Sequence, residues 1–157
     1  MNILQLLTSL NDDISIRAIA AYSKILKNNK YNSYVFAPLG RELSYFKRWG
    51  AEIAGQSASS RDIVYSKAMI REICEVVTSK SIITIHVYDL AGYRAAMQVR
   101  KHCPIKIIFS LLKNTSERSL IERLNDTIFG ESIPRVTTTV PSKVAYRDLL
   151  TKYSRKN

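Results

Sequence analysis

The chain has 157 residues, 46% hydrophobic and 24% charged, which suits one ordinary globular core and argues against disorder. Twenty-four Lys and Arg against thirteen Asp and Glu leave a net charge of +11, which points to anionic partners: phosphate esters, anionic lipid or nucleic acid. No run of about 18 apolar residues occurs and the N-terminus lacks the flank and cleavage site of a signal peptide, so a cytoplasmic chain without a spanning helix is expected. The two cysteines, Cys74 and Cys103, stand far apart in sequence with no CxxC and no clustered His. They read as packed or half-buried thiols, with support for neither a disulfide framework nor a metal site.

In chain order, short apolar runs alternate with stretches at helical spacing, the mark of βαβ units and a parallel sheet. Asn2 to Leu7 reads as a first strand. A helix follows from Ile14 to Lys27, with Ile14, Ala18, Ala21, Tyr22 and Ile25 on one face and a stop at Asn28, Asn29 and Lys30. Ser33 to Ala37 is a second strand, and Arg41 to Trp49 a short helix closed by Gly50. Ala51 to Ala54 is a short third strand and Gly55 to Ser60 a polar loop. Arg61 to Ser79 is expected to be the longest helix, and Ile82 to His86 a fourth strand buried on both faces. Asp89 can cap a helix from Leu90 to His102, which Pro104 ends before a fifth strand, Ile105 to Leu111. Ser116 to Phe129 reads as a helix ended by Gly130, and Arg135 to Thr139 as a sixth strand. Thr139 and Pro141 start a last helix reaching Tyr153, and 154–157 is a polar tail.

The fold expected is therefore α/β, a Rossmann-like doubly wound parallel sheet of six strands in the order 3-2-1-4-5-6, with residues 1–153 as one domain. Ligands of such sheets bind beyond the carboxyl ends of strands 1 and 4, here residues 8–17 and 86–93. The turn after strand 1, Thr8 to Asp13, holds no glycine, so the dinucleotide fingerprint is missing. So are a Walker A loop, an HExxH pair and a GxSxG elbow.

Ser9-Leu10-Asn11, five residues and Arg17 resemble the first loop of GT-B glycosyltransferases of family 4, S-L-x-x-G-G-x-x-R, without gaps. Five further pieces resemble that family's N-terminal domain in order: the opening Met1 to Leu7, Tyr34 to Pro38, Gly50 to Ile53, Ile83 to His86, and Pro104 to Ser110. Arg135-Val136 resembles the start of its R-V-I-A-V-S segment. The resemblance implies the acceptor-side half of an enzyme that transfers a sugar from a nucleotide-sugar to a hydroxyl acceptor, lipid-linked or of lipopolysaccharide type, without a metal and with no cofactor beyond the donor. It implies a binding role for Asn11, Asp13, Arg17, His86 and Ser110, with His86, Asn11 and Arg17 in one cleft.

The chain departs from that pattern at several points. Asp13 and Ile14 replace the paired glycines that admit a diphosphate, Ser110 stands where the family has a histidine, and the second GT-B domain is absent from the sequence. The isolated chain is therefore expected to be inactive, its partner half lying in a separate chain. The alternative is a non-catalytic remnant or anion-binding module that keeps the fold. Residues 94–157 hold thirteen Lys and Arg against five acids, which suggests peripheral attachment to an anionic membrane surface on the cytoplasmic side. Nucleic-acid binding rests on charge alone, with no motif behind it. His102 is assigned no chemistry.

Overall fold

The computed structural model describes residues 1–10, 13–57, 65–110 and 137–139, with backbone only at 13–15, 57, 90 and 137–139. The elements run β1 (Asn2–Leu6), α1 (Asp13–Asn28), β2 (Asn32–Pro38), α2 (Leu43–Arg48), β3 (Glu52–Ser57), α3 (Lys67–Ser79), β4 (Ile82–Val87), α4 (Leu90–Arg100) and β5 (Lys106–Ser110). The five strands form a parallel sheet in the order β3-β2-β1-β4-β5, as the alternation of elements predicts. A three-residue strand, β6 (Thr137–Thr139), pairs in parallel with Ile108–Ser110. The rest of the expected sixth strand, the helices expected over 116–129 and 141–153, and the tail lie outside the described residues.

Strand alternation divides the core in two. Leu4, Leu6, Phe36, Ile85, Val87, Ile107 and Phe109 point to the face covered by α3 and α4. Leu7, Val35 and Ala37 point to the face covered by α1 and α2. Leu4, Leu6, Phe36 and Ile85 are fully buried, and each such side chain contributes roughly 1.5–3 kcal/mol. The connections stop cleanly. Lys30 turns the chain out of α1 at φ 62°, and Gly50, at φ +84°, ends α2, where a Cβ would also strike the Lys27 side chain.

Several expectations are corrected. The buried face of α1 is Ile16, Ile19, Ala20, Ser23 and Leu26; Ala18 and Ala21 are exposed, and Ile25 is 56% exposed. Both sets fit helical spacing, and the true one was hidden because its middle member is Ser23, a polar residue whose partners lie in the sheet. α3 starts at Lys67, six residues after the expected position, because the Ser66 hydroxyl accepts from the Met69 N–H at 3.3 Å and caps it there. At 16 residues α1, not α3, is the longer of the two. β3 continues to Ser57, beyond the expected Ala54, because Gly55 pairs with Phe36 and leaves room for its ring. Ile83 is 46% exposed, at a register shift between β1 and β4, so β4 is not buried throughout.

Candidate functional site

The sheet order reverses between β1 and β4, and their carboxyl ends open the crevice where doubly wound sheets bind ligands. Asp89 dominates this point. Its Oδ1 accepts from the Gly92 N–H at 2.7 Å, capping α4 as expected, and its Oδ2 accepts from the Thr8 hydroxyl. One carboxylate thus joins the end of β1 to the start of α4. Gly92 suits this position because a Cβ would lie 3.3 Å from Asp89 Oδ1 and 3.6 Å from the Leu6 carbonyl oxygen. The Tyr65 hydroxyl donates to the Leu7 carbonyl at 3.0 Å. Burial and then the Asp89 charge raise its pKa well above the usual phenol value, so it stays protonated.

Electrostatically, the N-terminus of α4 already holds its anion. A helix N-terminus offers bare N–H groups and positive potential to phosphate; here Asp89 occupies both. The second helix that starts after a strand at this crevice, α1, begins with Asp13 itself. The Asp89 carboxylate at the start of α4 disfavours a diphosphate there and suits neutral hydroxyl groups.

Beside this point, on the α1 face, lies a buried polar chain. Gln5 Nε2 donates to Ser23 Oγ and Ser33 Oγ, each at 2.7 Å, and the Tyr88 hydroxyl donates to Gln5 Oε1 at 2.9 Å. That uses the one hydroxyl hydrogen of Tyr88. Its oxygen, 3.1 Å from His86 Nδ1, must then accept, so Nδ1 carries the imidazole proton. Nε2 of the neutral ring is consequently the acceptor, and the Ser110 hydroxyl donates to it at 2.6 Å. Burial lowers the His86 pKa to about 4, which keeps the ring neutral at physiological pH. Burial, and then Tyr22, raise the Tyr88 pKa well above its usual value. The outcome is a polarised Ser110 hydroxyl at the carboxyl end of β5, backed by a neutral imidazole in a fixed tautomer.

Of the residues that the sequence singled out, the fold brings His86 and Ser110 into direct contact. His86 is only 6% exposed and meets the Tyr22 ring of α1 edge to face at 5.4 Å, with both nitrogens engaged internally. It therefore lies under a helix rather than open in a cleft. Arg17 is exposed; its Nη2 donates to the Tyr45 hydroxyl at 3.2 Å and its guanidinium lies 5.0 Å from that ring's centre, so it joins α1 to α2. Asp13 is the first residue of α1, described by its backbone alone, and Asn11 lies outside the described residues. Gln5, Ser23, Ser33, Tyr88 and Thr8 escaped the sequence reading. Their signal was polarity at core positions, above all Gln5 within the strand Asn-Ile-Leu-Gln-Leu. Among the described residues no group of three or more His, Cys, Asp or Glu could hold a metal, and no helix is long and apolar enough to cross a membrane.

No family model matches the chain, and no curated protein matches it. Solved structures do. A glycosyltransferase from Rickettsia africae ESF-5 superimposes with a TM-score of 0.64 at 14% identity, over 98% of this chain and 40% of that one. A putative UDP-N-acetylglucosamine 2-epimerase from Listeria monocytogenes gives 0.59 at 14% identity, over 99% of this chain and 42% of that one. MT0777 gives 0.52 at 10% identity, over 99% and 98%. The chain spans about two-fifths of the length of the first two proteins. At these identities the likeness concerns the fold, and the chain has a GT-B-like, Rossmann-like α/β fold.

Proposed function

We propose that the chain is the acceptor-side half of a glycosyltransferase of the GT-B, family 4 kind, with six strands completing its sheet. It serves the transfer of a sugar from a nucleotide-sugar to a hydroxyl acceptor, lipid-linked or of lipopolysaccharide type. The observation that supports this reading is the start of α4: the Asp89 carboxylate, bound to the Gly92 N–H and the Thr8 hydroxyl, occupies the place where a donor diphosphate would need bare N–H groups. Such a site favours acceptor hydroxyls and leaves the diphosphate to a second, donor-side domain. Ser110, polarised by His86, and the Tyr88 and Thr8 region serve the acceptor, and Asn11, Asp13 and Arg17 share in its binding.

Charge supports a place at the cytoplasmic face of an anionic membrane. Residues 14–51 hold seven Lys and Arg against one Glu, and all seven cations are exposed. Two of them, Arg17 and Lys24, lie over Tyr45 and Trp49, the pairing of cation and aromatic suited to a lipid interface. The rival reading is a non-catalytic or anion-binding module that keeps the fold.

The test is an assay of sugar release and transfer with labelled nucleotide-sugars. The purified chain alone is expected to give no turnover, because a cationic grip on the leaving diphosphate contributes several kcal/mol in the transition state and the start of α4 offers the Asp89 carboxylate instead. Turnover by the chain alone would overturn the division of labour proposed. Failure of hydroxylated acceptors to bind would favour the non-catalytic module.

A further inference from the structure

The buried polar chain beside the crevice has a direction. Gln5 is fully buried, and its side chain meets Ser23 Oγ and Ser33 Oγ at 2.7 Å and the Tyr88 hydroxyl at 2.9 Å. With Nε2 on the two serines, both amide hydrogens and the carbonyl oxygen are bonded. The reversed amide would turn Nε2 to Tyr88, one oxygen for two hydrogens, and strand one of them in the core, where an unmade bond is expensive. From Gln5 every donor then points the same way. Tyr88 gives its hydrogen to Gln5 Oε1, His86 Nδ1–H donates to Tyr88, and the Ser110 hydroxyl donates to His86 Nε2. Ser110, the last residue of β5, thus has its one hydrogen turned inward, and any further group that meets its oxygen meets a lone pair. Thr8, beyond the end of β1, is in the same state, because its hydrogen goes to Asp89 Oδ2.

We propose that Gln5 and Tyr88 are positioning residues that fix the direction of the Ser110 hydroxyl, so that Ser110 selects ligand groups carrying hydrogen, hydroxyl above all, against oxyanions that carry none. The selection deepens the acceptor-side reading and rests on it for the identity of the ligand. Gln5 reaches the imidazole through Tyr88, and it decides between two directions that the rest of the chain could take. Without Gln5 Oε1, the Tyr88 hydroxyl turns its hydrogen to His86 Nδ1, and the ring carries its proton on Nε2 instead. Nε2–H then donates to Ser110, whose own hydrogen is released towards the ligand, with no change in the number of protons. The two separations, 3.1 and 2.6 Å, suit either direction, so no heavy atom has to move. In the released state a sulfate or phosphate oxygen finds a donor at Ser110; in the native one it finds lone pairs, which repel it. Ser23 of α1 and Ser33 of β2 hold Gln5 in place, which gives these two buried hydroxyls a role in the crevice.

The test reads the imidazole tautomer of the folded, isotope-labelled chain by long-range proton–nitrogen correlation at about pH 7.5, where a ring with a pKa of about 4 is neutral. The chain has two histidines, and His86→Gln assigns their signals. Wild-type His86 should carry its proton on Nδ1. Gln5→Met, which leaves Ser33 bonded to Ser23 at 3.4 Å, should carry it on Nε2. Sulfate, which holds no hydrogen, should leave the Ser110 amide resonance of wild type in place and shift it saturably in Gln5→Met. Maltotriose, whose hydroxyls can turn either way, should shift it in both. Nε2–H in wild type, or Nδ1–H retained in folded Gln5→Met, would overturn the positioning role, and sulfate acting alike on the two proteins would overturn the selection. If Gln5→Met does not fold, the wild-type tautomer and its response to sulfate still decide. Maltotriose without effect on wild type would strike the acceptor-side reading rather than the role of Gln5.

Discussion

Acidification should destabilise the chain through His86 in a defined window. Its Nε2 must accept from Ser110, so the bound arrangement requires the neutral ring, and burial lowers its pKa from 6.5 to about 4. Between those values the unfolded chain binds the proton and the folded chain does not, so stability falls as pH drops from about 6.5 towards 4 and is fully present above 6.5. At 1.36 kcal/mol per unit the whole shift amounts to about 3 kcal/mol, of which about 2 kcal/mol is lost between pH 7.5 and 5. In a domain of this size that lowers the melting temperature by about 4–8 °C. Urea unfolding followed by circular dichroism at a series of pH values, for wild type and His86→Gln, isolates the effect, since His102 and every carboxylate are common to both. The variant should be less stable at neutral pH and show a shallower loss over this window. An equal slope in both proteins would refute the buried, neutral imidazole.

Three further outcomes are expected. Gly55→Ala places a Cβ 2.4 Å from the fully buried Phe36 ring and should cost about 1–3 kcal/mol in chemical denaturation; unchanged stability would contradict the packing of β3 against β2. Asp89→Ala removes the α4 cap and the acceptor of Thr8 and should cost about 1–2 kcal/mol, whereas Asp89→Asn keeps an acceptor and should recover most of it; spectrophotometric titration should show the Tyr65 pKa falling in both. Anionic liposomes should retain the chain at low salt and release it as the Debye length shrinks from about 30 Å at 0.01 M to about 8 Å at 0.15 M, and salt-independent failure to bind would remove the membrane from the proposal.

The sheet order was legible because the strands that make it are short apolar runs separated by helical spacing, and right-handed crossovers leave few other packings. Caps at Gly50 and Asp89 were legible too, each being of a residue type that its position favours. What escaped was polarity turned inwards. Ser23 sits on the buried face of α1 only because Gln5 waits for it in β1, and a one-dimensional pattern scores both as surface. The contact between His86 and Ser110 depends on β4 and β5 being neighbours, with His86 opposite Ile108 and Ser110 two residues further on, a register that neither segment encodes alone.

The most direct measurement of the acceptor-side reading is a titration of the isotope-labelled chain with two probes, followed by backbone amide resonances. Neutral oligosaccharides should shift the amides of Thr8, Tyr88, Asp89 and Ser110, while UDP and pyrophosphate leave those resonances in place. The opposite pattern, with saturable shifts of these residues by UDP or pyrophosphate and none by oligosaccharides, would contradict it.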